Sequence, residues 1–231
     1  MKAFSSEERP GWNQIAEGEG YVVTYDPLDG SSIIDTNFSI GSIFSIWKTG
    51  ENKLLGSKVK DQVNAVITIF GPRTTAVYYN EDEKKVQELT SIDDYWIISH
   101  DNLVIKEKAK IFCPGNLRAA GERNDYNEVV NNWITKGMTL RYTGGLVLDI
   151  YQLFIKGQGI FINLASKSHK AKLRGFYEVA SLGYLTHKAG GDSVTNKGIS
   201  LLEYQLNTYD DRLPFALGSK NDVESVKHLF A

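Results

Sequence analysis

The sequence has 231 residues, of which 42% are hydrophobic, 23% charged and 11% aromatic, and its 26 Lys and Arg nearly balance its 28 Asp and Glu. These proportions describe a globular chain able to bury a core without covalent staples, and they exclude a disordered chain, a collagen and a disulfide scaffold. A net charge of −2 without basic runs gives no general attraction to nucleic acid or anionic lipid, so a phosphorylated ligand has to be caught by local charges.

No apolar run approaches the ~20 residues of a membrane helix, and no signal peptide is visible. The single cysteine, Cys113, cannot form an internal disulfide, which suits a reducing compartment and equally suits chance. Met1-Lys2-Ala3-Phe4 runs straight into Ser5-Ser6-Glu7-Glu8, with no element expected before the strand-like segment that follows. Short β-branched and aromatic runs at residues 20–25, 38–47, 63–70 and 74–79 then predict a mostly antiparallel sheet. The second half changes period. Tyr126, Val129, Val130, Trp133 and Ile134 recur at helical spacing on one face, Gly137 follows as a stop, and Asp125 with Glu128 resembles an N-terminal capping pair. Further helices are predicted at 145–154 and 176–188, the latter closed by Gly190-Gly191, and a short one at 222–230. Strands are expected at 159–163 and 215–217. Composition shifts near residues 106–110, dividing the chain into an N-terminal sheet region, 1–110, and a C-terminal α/β region, 111–231.

Chemistry concentrates in Asp26-Pro27-Leu28-Asp29-Gly30-Ser31-Ser32. Two carboxylates three residues apart at a strand end, with the Leu28 carbonyl between them, can aim oxygen ligands at one Mg²⁺ or Mn²⁺. Gly30, Ser31 and Ser32 offer small side chains and free backbone N–H groups, which let a phosphate approach the main chain. A strand ending in a polar Pro/Gly turn explains the same string equally well. His100, His169, His187 and His228 lack the spacing of a zinc set. No G-x-S-x-G elbow and no base next to Cys113 support a covalent mechanism.

The string from Tyr25 to Ile43 (YDPLDGSSIIDTNFSIGSI) closely resembles the metal-binding signature of the fructose-1,6-bisphosphatase and sedoheptulose-1,7-bisphosphatase family of Mg²⁺-dependent sugar phosphatases. Asp35-Thr36-Asn37-Phe38 and Pro114-Gly115-Asn116-Leu117-Arg118-Ala119 resemble the sedoheptulose branch. The likeness continues through Ser6-Glu7-Glu8, Phe70-Gly71-Pro72-Arg73, Leu140-Arg141-Tyr142-Thr143-Gly144-Gly145, Lys172-Leu173-Arg174 with Tyr177-Glu178, and Lys188-Ala189-Gly190-Gly191. The resemblance implies that Glu7, Asp26, Asp29 and Glu178, with the Leu28 carbonyl, hold divalent metal. It implies that Glu8 and Asp29 assist catalysis, and that Gly30, Ser31, Ser32, Asn116, Arg141, Tyr142, Lys172 and Arg174 bind substrate and its phosphates. Read alone, Glu178 is a solvated helix residue and the basic loop 167–172 is solvated surface. Ala119 and Asn163 stand where fructose bisphosphatases carry tyrosines, leaving room for a longer sugar, with Arg118 nearby.

The resemblance implies an α/β (α+β) layered sandwich with mixed sheets and helices between and outside them. The expected reaction is Mg²⁺-dependent (or Mn²⁺-dependent) hydrolysis of the 1-phosphate of sedoheptulose 1,7-bisphosphate, with fructose 1,6-bisphosphate or dual specificity as the alternative, and an impaired structural or regulatory fragment as the rival of another class. A small sugar bisphosphate, a homo-oligomer (dimer or tetramer) and a cytoplasmic or plastid location are expected, without nucleic acid or membrane. Family members carry an N-terminal helical region before Ser-Glu-Glu. With the pattern entered only at Ser6, weak turnover and an uncovered apolar sheet face are also expected.

Overall fold

A computed structural model describes residues 1–50 and 52–231. Alternation of apolar and polar residues builds eight strands among the described residues of the first hundred: β1 (Ala3–Ser6), β2 (Asn13–Gln14), β3 (Tyr21–Asp29), β4 (Ile40–Lys48), β5 (Gln62–Phe70), β6 (Thr74–Asn80), β7 (Lys85–Ile92) and β8 (Tyr95–His100). They join in the order β2-β1-β3-β4-β5-β6-β7-β8. Every pair is antiparallel except β1 with β3. The expectation that nothing lies beside the first strong strand is corrected here. Ala3, Ser5 and Ser6 are buried, and β1 zips in parallel register onto Val22 to Tyr25.

The second sheet takes β9 (Ile111–Gly115), β10 (Thr139–Leu140), β11 (Ile160–Asn163), β12 (Asp192–Thr195) and β13 (Phe215–Gly218) in the order β10-β9-β11-β13-β12. β9 is parallel to both its neighbours, whereas β13 is antiparallel to both of its own. Four α-helices complete the described residues: α1 (Asn124–Thr135), α2 (Leu146–Lys156), α3 (Ala180–Lys188) and α4 (Lys220–Val226). A π-turn, Gly175–Val179, leads into α3, and a 3₁₀ turn, Lys227–Phe230, extends α4. On α1 the predicted stripe is buried at Tyr126 and Trp133, but Ile134 is exposed. The expected pairing of Asp125 with Glu128 does not form. Asp125 lies inside the first turn, where its carboxylate accepts from the Arg123 guanidinium at 2.6 Å and the Tyr126 amide at 2.8 Å.

The apolar faces fix a four-layer order. Ile43, Ala65 and Ile67 of the large sheet pack on Val147, Ile150 and Leu153 of α2 and on Leu182 and Leu185 of α3, which meet Cys113, Phe161 and Phe215 of the small sheet in one core. The small sheet's other face, with Phe112, Ile160 and Ile162, packs on Tyr126 and Trp133 of α1 and Val223 and Val226 of α4. A third cluster joins Ala3, Val22 and Trp47 to Phe176 and Tyr177 of the π-turn. Phe4, Tyr25 and Phe44 lie half-buried, with Tyr25 stacked on Phe44 at 5.7 Å. Among the described residues no helix is long and apolar enough to cross a membrane.

Candidate active site

In a regular strand, residues three apart point to opposite faces. β3 pairs Asp26 with Ile43 but Asp29 with Gly41, so three steps on β3 match two on β4. The one-residue bulge at Pro27-Leu28 resets the alternation and turns both carboxylates inward. The strand therefore continues through the motif rather than ending before it. Ser42 Oγ donates to the Pro27 carbonyl at 2.7 Å, and the Leu28 N–H donates to Asp26 Oδ1 at 2.9 Å. Asp29 in turn accepts the Val147 N–H of α2 at 2.7 Å. That helix comes close because residue 41 has no side chain. A Cβ there would lie 2.2 Å from the Thr68 carbonyl oxygen and 2.7 Å from Val147 Cγ1.

The third carboxylate arrives from the other half of the chain. Glu178 sits in the π-turn before α3, where its Oε2 accepts the Arg174 N–H at 2.5 Å. Asp26, Asp29 and Glu178 are all buried, and each offers an oxygen within 4.8 Å of the others. Burial raises the pKa of Asp26 to about 7 against the opposing Leu28 hydrogen bond, with the Glu7 charge adding to the rise. Burial likewise raises Asp29 to about 7 and holds Glu178 well above the usual carboxylate range. Three buried carboxylates that repel one another, all of them oxygen donors, fit a hard divalent cation whose charge would compensate theirs. Glu7 joins them in the cleft, where its charge adds to the rise at Asp26, and it forms an ion pair with Arg174.

These groups line a cleft of about 660 Å³ between the two halves of the chain. Of the residues expected from sequence, Glu7, Asp26, Leu28, Asp29, Gly30, Ser31, Ser32, Asn116, Tyr142, Lys172, Arg174 and Glu178 all line it. Gly30, at φ +97°, turns the chain into the 3₁₀ helix Ser31–Thr36, leaving the first backbone N–H groups of that helix without intrahelical partners. Two residues do not line it. Glu8 is exposed, and Arg141 is exposed with its guanidinium donating to Gln152 Oε1 at 3.3 Å on α2. Asn116 lines the cleft but spends its amide on the chain itself, donating to the Leu164 carbonyl at 2.5 Å and the His169 carbonyl at 3.3 Å.

Further lining residues carried no assigned site role in the sequence. Asp149 on α2 is fully buried, accepts the Thr143 N–H at 2.7 Å and the Gly144 N–H at 3.3 Å, and is pushed up to about 6 by burial. Its signal was present: a lone acid in the apolar run LVLDI. Arg118, Lys170 and Arg212 also face the cleft. Arg212 reaches it because residue 174 bridges residue 212 across two loops, a pairing with no local sequence signature.

Comparison with known proteins places this geometry. The family models for the fructose-1-6-bisphosphatase N-terminal and C-terminal domains match residues 1–98 and 105–231. The chain is 45% identical over 205 residues to a chloroplastic sedoheptulose-1,7-bisphosphatase of Spinacia oleracea, covering 88% of this chain and 52% of that protein. It is 35% identical over 210 residues to a class 1 fructose-1,6-bisphosphatase of Syntrophotalea carbinolica, covering 90% and 64%. It superposes with a TM-score of 0.90 and 36% identity on the crystal structure of a Toxoplasma gondii protein assigned as a sedoheptulose-1,7 bisphosphatase, covering 99% of this chain and 78% of that one. The chain spans about half the length of the curated plant relatives it matches.

Proposed function

The chain belongs to the fructose-1,6-bisphosphatase family, and from that premise we propose that its cleft hydrolyses the 1-phosphate of sedoheptulose 1,7-bisphosphate with Mg²⁺ as cofactor and Mn²⁺ as a substitute. The observation that carries the proposal is the convergence of Asp26, Asp29 and Glu178 within 4.8 Å in a cleft also lined by Lys172, Arg174 and Arg212. Oxygen donors meet a divalent cation and the cationic side chains meet phosphate, the two needs of a metal-assisted phosphatase. The likeness to plant sedoheptulose bisphosphatases supports the seven-carbon substrate. So does the cleft: Asn163, an amide rather than a ring, lines it, and the small Ala119 is buried next to Arg118, which supports room for a longer sugar. The likeness to class 1 fructose bisphosphatases makes fructose 1,6-bisphosphate the second candidate.

In this reading Asp26, Asp29, Glu178, Glu7 and the Leu28 carbonyl hold the cation. When bound, the cation lowers the pKa of water and neutralises the leaving oxygen. Asp29 is the carboxylate that takes up the proton of the attacking water, and Glu8, exposed and outside the cleft lining, would assist only through the charge by which it raises Asp26. The N–H groups of Ser31 and Ser32 orient the transferred phosphate after the Gly30 turn. Lys172 and Arg174 draw in the substrate, and Tyr142 and Asn116 face its distal part. Residues 1–110 then form the metal-motif region and 111–231 the substrate region. Arg141, outside its own cleft, serves a neighbouring subunit of a homo-oligomer, dimer or tetramer, which sedimentation would detect.

The test is phosphate release from sedoheptulose 1,7-bisphosphate and fructose 1,6-bisphosphate, with and without Mg²⁺. The expected result is Mg²⁺-dependent release with the higher kcat/KM on the seven-carbon sugar. Preference for the six-carbon sugar transfers the assignment to fructose bisphosphatase, and release from neither refutes the phosphatase reading.

A further inference from the structure

The cations of the cleft fall into two classes. Arg174 is committed to Glu7 and, at 3.1 Å, to Asp210; Arg212 is committed to the same Asp210 at 3.1 Å. Arg118, Lys170 and Lys172 also line the cleft, are exposed, and have no ion pair or side-chain hydrogen bond among the described residues. A guanidinium gains most where it meets a planar or tetrahedral oxyanion bidentately, and Arg118, in a cleft that holds five carboxylates, keeps its donors open to such a partner.

Two of these free cations, Arg118 and Lys170, also rest on a shared frame. Arg118 is carried by the 3₁₀ turn Leu117–Gly121 that follows β9, and Lys170 by the loop after β11. Asn116, at the start of the turn with φ +48°, ties the loop through the Leu164 and His169 carbonyls. Glu122, just after the turn, accepts the Ser168 N–H at 3.0 Å and stands 3.7 Å from His169 Nε2. Turn and loop are thus stapled at two points, one on each side of Arg118. The Arg118 charge also acts on the Tyr142 hydroxyl, lowering its pKa against the rise that burial imposes. A cation, a phenol and an amide-braced loop therefore face one corner of the cleft.

The geometry points to Arg118, with Lys170 beside it, as the clamp for the phosphate at the far end of the sugar, and so as the residue that sets which chain length of ketose bisphosphate the cleft accepts. The inference rests on the sugar-bisphosphate reading of the cleft. A side chain as long as arginine, anchored beside the small Ala119, replaces bulk in the cleft wall by reach. Its guanidinium grips a phosphate on a longer sugar without closing the path to the carboxylates.

Two monophosphates separate the ends of the site: sedoheptulose 7-phosphate carries only the distal phosphate, and fructose 1-phosphate only the one beside the metal ligands. Binding of each is measured by calorimetry with the Mg²⁺-loaded protein, its Arg118→Ala and Arg118→Lys variants and Lys170→Ala. Arg118 is exposed, so thermal unfolding of the variants should match the parent. Arg118→Ala is expected to weaken sedoheptulose 7-phosphate by about 10- to 100-fold, the size of a lost charge-assisted bidentate contact, with Arg118→Lys recovering part of it and Lys170→Ala losing less. Fructose 1-phosphate should change by less than about twofold. Equal weakening of both probes, or none in Arg118→Ala, overturns the inference. Arg118-dependent binding without phosphate release from either bisphosphate would retain the clamp and refute the phosphatase reading. Phosphate release indifferent to Arg118, in KM and in chain-length preference, would do the reverse.

Discussion

Asp29→Asn separates the cost of the carboxylate cluster from its use. Asp29 is 7% exposed, and its pKa of about 7 stands some 3 units above the ordinary 3.8, so ionising it in the metal-free fold costs on the order of 4 kcal/mol at ~1.4 kcal/mol per unit. Asparagine keeps the shape and an oxygen for the Val147 N–H but carries no charge. The sign follows from linkage: a folded pKa raised above the unfolded value contributes stability that is full below pH 3.8 and lost as pH rises towards about 7. The advantage of the variant over the parent should thus grow between those limits and level off above them. At ~2–4 °C per kcal/mol for a chain of this size, the metal-free variant should melt roughly 10 °C higher than the parent at pH 8. Mg²⁺ should then raise the melting temperature of the parent but not of the variant, and phosphate release by the variant should fall by at least ~100-fold. Calorimetric melting at pH 4, 6 and 8, with and without Mg²⁺, checks all three. A variant less stable than the parent at pH 8, or one that keeps the full Mg²⁺ response, would refute the reasoning.

Gly41→Ala should force α2 away from β4, because the new methyl meets the Thr68 carbonyl and Val147; a loss of about 1–3 kcal/mol in urea unfolding, with weaker Mg²⁺ stabilisation, is expected, and an unchanged Mg²⁺ response would detach α2 from the site. Glu88 has a fully buried side chain in which burial alone would raise the pKa, yet hydrogen bonds from Ser99, Tyr151 and His100 and the Arg73 charge hold it below the usual value. Glu88→Gln should therefore cost about 2 kcal/mol at pH 7, a gap that narrows as acid protonates the parent below pH 4.5, and a pH-independent gap would exclude the charge as its source. Cys113 is buried, and burial pushes its thiol up, so maleimide at pH 8 should label it only in denaturant; rapid labelling of the native protein would contradict the core described above.

Most strands whose apolar residues crowd together were legible, β7 and β8 excepted although β8 carries the run YWII, and those that borrow their stability were not. The runs at β3, β4, β5 and β6 alternate or are continuously β-branched, so the local string suffices. β1 has four small or mixed residues, AFSS, and becomes a strand only because β3 offers a parallel edge in register. β9 contains Pro114, which argues against a central strand, yet it lies between β10 and β11 in a parallel sheet. β12, DSVT, is held by antiparallel pairing with β13. The start of α3 was misplaced because the chain enters it through a π-turn, and no side-chain period distinguishes a π-turn from the helix it opens.

The site divides along the same line. Asp26 and Asp29 were visible as a pair because they share one string, but their shared face depends on a bulge that β4 imposes through Gly41 and Ser42. Glu178 and Asp149 lie far along the chain, and nothing local marks Glu178 as buried. Arg118 and Lys170 show the converse: charged residues in loops read as solvated surface until the fold reveals which cations already have partners. Arg174 and Arg212 share Asp210, whereas Arg118, Lys170 and Lys172 have no such partner among the described residues. Sequence supplies the inventory of charges, but function depends on which charges remain uncompensated after folding. In this cleft the uncompensated groups are a buried triad of acids and a separate set of bases, and a ligand carrying a cation at one end and a phosphate at the other satisfies both at once.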